Sequence, residues 1–384
     1  MKKNFFKVAA VAALSLTGFS AIAQEEEATK ESSFELSGSV DAYFRANLNA
    51  PNSPNADAPS TSFANQDGFA LGMANLIASK QIGKVGFVAD LVFGPRGTDA
   101  VFESTTASSS IVNQLYVTYA PSDAVTLTFG NFNTFLGYEV ISPTGNFNYS
   151  TSYMFSFGPF SHSGLKADFA LDDNWSIMAS IMNPTDFTDF NPVGKYTGGL
   201  QLGYSDDSGS AYLNALYGPQ SNGAEETFQI DLTTGWDLTD TFYLGFNATY
   251  NTTKDAGIDE DGLADAGFYG AALYPQVALT DSFSLGLRAE YFKTFGAFGS
   301  TITVDGVDSS GAPIRGLDDN FEGSVFATTL TGSYSVGNLT IKPELRLDSA
   351  AEESFFEENS LDSDGNVQIQ KSLASFVIGA IYSF

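Results

Sequence analysis

Apolar and polar residues alternate with period two from Phe34 to the end of the chain, the pattern of strands with one face in each of two environments. In the first stretch Phe34, Leu36, Val40, Ala42, Phe44 and Leu48 share one face, and Glu35, Ser37, Ser39, Asp41, Arg45 and Asn47 the other. A later stretch is cleaner: Leu339, Ile341, Pro343, Leu345 and Leu347 alternate with Thr340, Lys342, Glu344, Arg346 and Asp348. The pattern predicts sixteen strands, at 34–49, 66–80, 84–94, 111–120, 124–134, 162–172, 174–183, 196–205, 209–218, 225–238, 241–252, 266–280, 283–295, 323–336, 338–349 and 371–384. Tight connections rich in Gly, Asp, Asn and Ser, such as Pro121 to Asp123 and Thr239-Asp240, alternate with long ones such as Ala50 to Asn65, Phe135 to Ser161 and Gly296 to Glu322.

A soluble sheet can also carry a polar face. Here the polar face is charged and the apolar face uninterrupted, which suits a wet lumen inside and lipid outside. The prediction is an all-β, transmembrane, antiparallel up-and-down barrel of about sixteen strands over 34–384, with short periplasmic turns and long external loops. Fourteen or eighteen strands would follow from one misread hairpin. A propeller would repeat about every forty residues with a signature in each blade, and no such repeat occurs. The aromatics Tyr119, Trp175, Tyr204, Tyr217, Trp236, Phe242, Tyr250 and Phe283 fall near strand ends, where interfacial girdles would lie.

The start of the chain adds a compartment. Lys2, Lys3 and Lys7, an apolar core from Val8 to Phe19, and Ala21-Ile22-Ala23 make a secretory signal peptide over 1–23, with the mature chain starting at Gln24. Residues 24–33 read as an acidic periplasmic lead-in, too short for a plug domain. The last strand places Phe376, Ile378, Ala380, Tyr382 and Phe384 on one face; its terminal aromatics Tyr382 and Phe384 resemble the signal read by the barrel-assembly machinery of Gram-negative outer membranes.

Charge narrows the partners. The chain holds 17 Lys and Arg against 45 Asp and Glu, a net charge of −28, and losing three lysines with the leader takes it to −31. Phosphate repulsion excludes nucleic acid, and the absence of Cys removes disulfides and thiolate metal sites. The predicted external loops carry many acids and few bases, including Asp255, Asp259, Glu260, Asp261, Asp305, Glu352, Glu357 and Asp362, a ring that would concentrate cations. Asp259-Glu260-Asp261-Gly262 and Asp362-Ser363-Asp364-Gly365-Asn366 miss the EF-hand spacing and read as solvated acidic turns, so no metal and no cofactor is expected. The single histidine, His162, lies between Ser161 and Ser163, and neighbouring strand residues point to opposite faces, so catalysis is not expected.

The third long loop, Phe135 to Ser161, is rich in Gly, Pro, Asn and aromatics and is the candidate for narrowing a pore. The polar faces of the strands would line that pore with both signs of charge: Asp41, Arg45, Asp90, Lys166, Asp168, Asp231, Arg288, Glu290, Lys342, Glu344, Arg346 and Asp348. Gly130, Phe132, Gly137, Tyr138, Glu139, Pro143, Asn146, Tyr149, Ser150, Pro159, Phe160, His162 and Gly164, in this loop and its flanking strands, resemble the hallmark segment of the OmpL-like β-barrel porins. That resemblance implies an outer-membrane porin that lets small hydrophilic solutes diffuse, and by analogy with general porins a third loop folded into the barrel and a homotrimer. Glu139, with Tyr138 and Tyr149, would then form the constriction, facing wall bases such as Lys166, Arg288 or Arg346. Two other readings stay open. One is a specific channel for sugars or peptides, with Phe147, Tyr149, Tyr153, Phe155 and Phe157 as an apolar slide. The other is a non-conducting adhesion or structural barrel.

Overall fold

A computed structural model describes residues 34–52, 57–101, 104–220, 225–259, 262–296, 323–361 and 367–384. The leader, the acidic lead-in and both calcium-like turns lie wholly or partly outside the described residues.

Sixteen antiparallel strands close into one barrel. They are β1 (Glu35–Asn47), β2 (Gly68–Ile82), β3 (Val85–Phe93), β4 (Val112–Ser122), β5 (Val125–Asn133), β6 (Ser161–Ala170), β7 (Trp175–Met182) and β8 (Thr197–Asp206). The second half comprises β9 (Gly209–Pro219), β10 (Glu226–Asp237), β11 (Phe242–Asp259), β12 (Gly262–Ala278), β13 (Phe283–Phe295), β14 (Gly323–Val336), β15 (Leu339–Ala350) and, after a side hairpin, β18 (Ser372–Ser383). Each strand pairs with its chain neighbour, and β1 joins β18 in the register Val40↔Tyr382. At this seam the last residue takes part: Phe384 N donates to Gly38 O and Gly38 N to Phe384 O, each at 3.0 Å.

Three long connections are more ordered than the sequence pattern suggests. β11 and β12 run on through Asp259 and from Gly262, so most of the expected loop is an extended hairpin. The last long loop folds its own hairpin, β16 (Phe355–Leu361) with β17 (Val367–Gln370). The loop after β3 opens with a short helix, α1 (Pro95–Ala100), with Pro at its first turn. At the other rim the turns are tight. Asn174 N and Trp175 N donate to Asp172, each at 2.8 Å, and hold its carboxyl below the usual carboxylate range.

Facing follows the alternation. Leu36, Phe69, Phe129, Leu200 and Leu345 are exposed on the outside, while Arg45, Asp90, Arg288, Glu344 and Asp348 are buried inside. Outward aromatics gather at both rims. Trp175, Tyr204 and Trp236 form a contiguous row at the tight-turn end, and Tyr250, Tyr269 and Phe295 pack at the other. The wall's interior is not uniformly polar, as period two alone implies. Phe268, Tyr274, Phe292, Val325 and Leu373 also point inward, and with Tyr153 and Met154 they build an apolar core within the barrel.

Leu345 sits midway along β15, on the outer face, between Leu330 and Phe376. Leu345→Arg is expected to destabilise the barrel by about 2–4 kcal/mol, the cost of a midplane cation facing lipid. Folding equilibria in lipid vesicles under urea would measure this.

Candidate functional site

The loop between β5 and β6 turns into the barrel instead of away from it. Its backbone has little internal structure, one short helix α2 (Tyr153–Phe157) apart, so its N–H and C=O groups need partners from elsewhere. The charged ladders of the inner wall supply them. Asp231 on β10 accepts Gly137 N at 3.0 Å, and Glu344 on β15 accepts Tyr149 N at 2.9 Å together with the Ser150 hydroxyl. Glu290 on β13 accepts Tyr153 N (3.0 Å) and Met154 N (2.8 Å), two of the otherwise orphaned donors at the start of α2. Ser152 caps the same helix by accepting Phe155 N at 3.0 Å.

The bases take the carbonyls. Lys342 donates to Pro143 O (2.8 Å) and Asn146 O (2.5 Å), Arg288 to Ser150 O (2.7 Å), and Arg346 to Thr151 O (2.9 Å). Arg96, from α1, reaches in from a neighbouring loop and donates to Ile141 O at 2.8 Å and Tyr149 O at 3.3 Å. Its guanidinium also lies over the Phe63 ring, 4.3 Å from the centroid.

Two ion pairs secure the arrangement. Arg288 Nη1 meets Glu139 Oε1 at 2.7 Å, and Arg346 meets Asp348 at 2.8 Å. Glu139 Oε2 also accepts Ser152 N at 2.7 Å, so this carboxylate ties one end of the loop to the other as well as to the wall. Glu139 and Arg288 are thus in direct contact rather than set across an opening, and both are almost fully buried.

The loop's rings have sockets. Tyr138 stacks on Tyr274 at 4.1 Å and its hydroxyl donates to Tyr243 Oη at 3.0 Å. Tyr149 donates to Asp41 Oδ2 at 2.5 Å. Where these and other loop side chains meet the wall, the wall has glycine: Gly245 under Tyr138, Gly379 under Tyr149, Gly286 under Phe147, Gly270 under Met154 and Gly199 under Phe135. A Cβ at any of them would overlap the seated side chain. Tyr149, Tyr153 and Phe155 are therefore buried in packing, and the notion of these rings as an exposed slide is not what this geometry offers.

Lys166 and Asp168 stand apart from the loop's anchor points. They pair along β6 at 3.6 Å, and Lys166 lies 5.3 Å from the Phe132 ring centroid. His162 faces inward and fully buried, with Nε2 3.0 Å from Thr134 Oγ1 and its ring beside Phe132 and Phe135. Ser163 turns the other way, 3.0 Å from both Asn131 Oδ1 and Thr188 O, so no serine–histidine pair forms. Tyr382 and Phe384 are half exposed on the outer face. Sequence pattern alone missed Arg96 and the glycine sockets. The first sits in a loop with no periodicity; the second are inward positions that period two leaves without a side chain to read.

Removing Arg288 leaves Glu139 buried without its counter-charge. Arg288→Ala is expected to cost about 3–5 kcal/mol, with part of the loss recovered in the Arg288→Ala/Glu139→Ala double variant, as read by urea unfolding. Gly379→Val is expected to drive Tyr149 from its socket and enlarge single-channel conductance in planar bilayers. Unchanged conductance would mean that the loop does not narrow the conducting path.

Comparison with known proteins places this geometry. The family described as "putative beta-barrel porin-2, OmpL-like" matches residues 33–384, and the chain belongs to it. No curated protein sequence matches. The outer membrane channel DcaP of Acinetobacter baumannii is similar in fold, with 15% identity, a TM-score of 0.54, and 94% of this chain and 99% of that one covered. The anion-selective porin from Comamonas acidovorans gives 12% identity and a TM-score of 0.56 over 92% of this chain and 100% of that one. OmpT of Vibrio cholerae, in a trimer form, gives 11% and 0.55 over 92% and 100%. At such identities the likeness concerns the fold. Family and fold together point to an outer-membrane, porin-like channel rather than an enzyme.

Proposed function

We propose that this chain is an outer-membrane diffusion channel for small hydrophilic solutes that prefers cations. The observation that carries the preference is how charge is used inside the barrel. Arg288, Arg346 and Lys166 are ion-paired with Glu139, Asp348 and Asp168, while Arg45, Arg96 and Lys342 donate to carbonyl or amide oxygens and keep their charge. Among the described residues Asp90 and Asp231 accept only from neutral donors, as do Asp41, Glu290 and Glu344, so five such acids face three bases outside the ion pairs. Asn75, Asn113 and Gln114 surround Asp90; Asn214, Asn247 and Gly137 N surround Asp231. An ionised carboxylate fixed by amides keeps its full charge, whereas an ion-paired one presents little net field. The overall acidity of the chain acts in the same direction.

The rest of the proposal follows from the leader and the ends of the chain. Residues 1–23 direct export and are removed, 24–33 stay periplasmic, and Tyr382 and Phe384 present the closing strand to the barrel-assembly machinery. A homotrimer is proposed on the strength of the trimer form of OmpT, a protein of the same fold. The fold does not itself set ion preference, since the Comamonas acidovorans porin of like architecture is anion-selective.

Planar-bilayer recordings of the refolded protein under a KCl gradient test the reading. The reversal potential is expected to favour K⁺, and the Asp90→Asn/Asp231→Asn variant to lower the K⁺ over Cl⁻ permeability ratio by about twofold or more. An open channel with no preference, or one for Cl⁻, would refute the charge argument. Silence from correctly folded, heat-modifiable protein would favour an adhesion or structural barrel instead.

A further inference from the structure

The loop between β5 and β6 is not held equally on all sides of the barrel. Its main anchors are on β13 and β15, which take its carbonyls and, through Glu290 and Glu344, the N–H groups of Tyr149, Tyr153 and Met154. Toward β10 and β11 it is fastened near its start, where Gly137 N donates to Asp231 and the Tyr138 hydroxyl to Tyr243 Oη, each at 3.0 Å. Beside these contacts Leu136, Phe155 and Pro159 face the two strands across a crevice of about 10 Å³, about the space of one water.

The wall across the crevice is built differently from β13 and β15. Asn251, Thr249 and Asn247 follow one another down the inner face of β11, in the register Asn251↔Gln229 and Thr249↔Asp231 with β10. Their polar groups bond within the wall. Asn214 and Asn247 donate to Asp231 (3.0 and 2.7 Å), Gln229 to Thr249 Oγ1 (3.2 Å), and Asn251 to Gln229 Oε1 (3.1 Å). Asn251 Oδ1 is the exception, a buried oxygen that accepts no hydrogen bond among the described residues. Leaning the loop off this wall breaks the Asp231 and Tyr243 contacts and leaves the ladder's own bonds intact. Leaning it off β13 or β15 would strand buried charge.

We propose that solutes cross the barrel through this slot, opened as the loop leans away from β10 and β11, and that Asp231 is its filtering residue for small monovalent cations. A cation in so narrow a gap sheds water and needs oxygens in its place. The slot offers the unpartnered Asn251 Oδ1 toward the long-hairpin end, Thr249 Oγ1 below it, and the Asp231 carboxylate beside Gly137. The apolar side chains opposite, Leu136, Phe155 and Pro159, offer nothing to an anion. Glu139, buried against Arg288, takes no part in the filter. The inference rests on the diffusion-channel reading and names where in the barrel that diffusion takes place.

The chain has no cysteine, so single thiols can be placed without background. Thr249→Cys and Asn251→Cys lie on the slot; Ser375→Cys, on β18, is an inward position as buried as Asn251. Each variant, its fold checked by heat-modifiability, is inserted in vesicles and treated with a trimethylammonium-ethyl methanethiosulfonate, and its modification is followed by mass spectrometry. The slot thiols are expected to react faster than Ser375→Cys by about tenfold or more, the ratio that one hydrogen bond fewer to break supplies. Modified Thr249→Cys is expected to conduct less in planar bilayers, and Asp231→Asn alone to lower the K⁺ over Cl⁻ permeability ratio. Equal rates in the slot and at Ser375→Cys, or full conductance after Thr249→Cys has reacted, would overturn the proposal, as would an unchanged ratio in Asp231→Asn. A protein that labels in the slot but conducts nothing would refute the diffusion-channel reading, while still showing β10 and β11 to be the side on which the loop opens.

Discussion

A polypeptide led into the interior of a barrel carries its backbone donors and acceptors with it, and each one left buried without a partner costs about 1–3 kcal/mol. The loop from Phe135 to Ser161 cannot answer that cost from within, since its only regular element is the five-residue helix Tyr153–Phe157. The wall answers it. Carboxylates on β10, β13 and β15 take the loop's N–H groups, and guanidinium and ammonium groups on β13 and β15 take its carbonyls. Lumenal charge in this barrel therefore seats the loop, and a charge that does so through neutral backbone groups still acts on a solute.

Shape complements charge. Wall glycines at positions 199, 245, 270, 286 and 379 are spread over β8, β11, β12, β13 and β18, and each lies under a different loop side chain. A loop gripped at so many strands is held as part of the wall's packing, with an apolar core of Tyr153, Phe268, Tyr274 and Phe292 behind it. Interiors packed in this way resist small displacements, because a shift at one contact requires movement at several. The buried ion pair of Glu139 and Arg288 sets the register of the loop against β13, where a hydrophobic contact could slide.

Much of this was legible from residue order. Alternation gave the strands nearly to their ends, because a strand between lipid and lumen must change environment at every residue and has no other way to satisfy both. The inward facing of Arg288, Glu290, Lys342, Glu344 and Arg346 followed from the same rule, and so did the long third loop as the segment to watch. What each inward charge would touch did not follow. Period two fixes the side of the sheet but says nothing about a loop that arrives from far away in the chain, as Glu139 does to Arg288 with a separation of 149. Arg96 lies in a non-periodic segment, and the hairpin of β16 with β17 sits in a loop whose acidic composition suggested solvent rather than pairing. Phe268 and Phe292 were the most misleading. They break the polar inner face, and only the arrival of Tyr153 and Phe157 opposite them explains why.

The distinction between charge that is spent and charge that is free bears on how a sequence of this kind is to be read for selectivity. Counting inward acids and bases would make this lumen nearly balanced around β13 and β15, where Arg288, Glu290, Lys342, Glu344, Arg346 and Asp348 alternate. Yet Arg288 and Arg346 are ion-paired with Glu139 and Asp348, while Lys342, Glu290 and Glu344 meet neutral loop groups and keep their charge. Asp90 sits on β3, away from those anchor points, and its three amide partners bring no opposing charge. A neutral hydrogen-bond shell brings no opposing charge to a carboxylate. On the proposed reading, ion preference is set by the acids that no wall base pairs with, Asp90 among them, and not by the total.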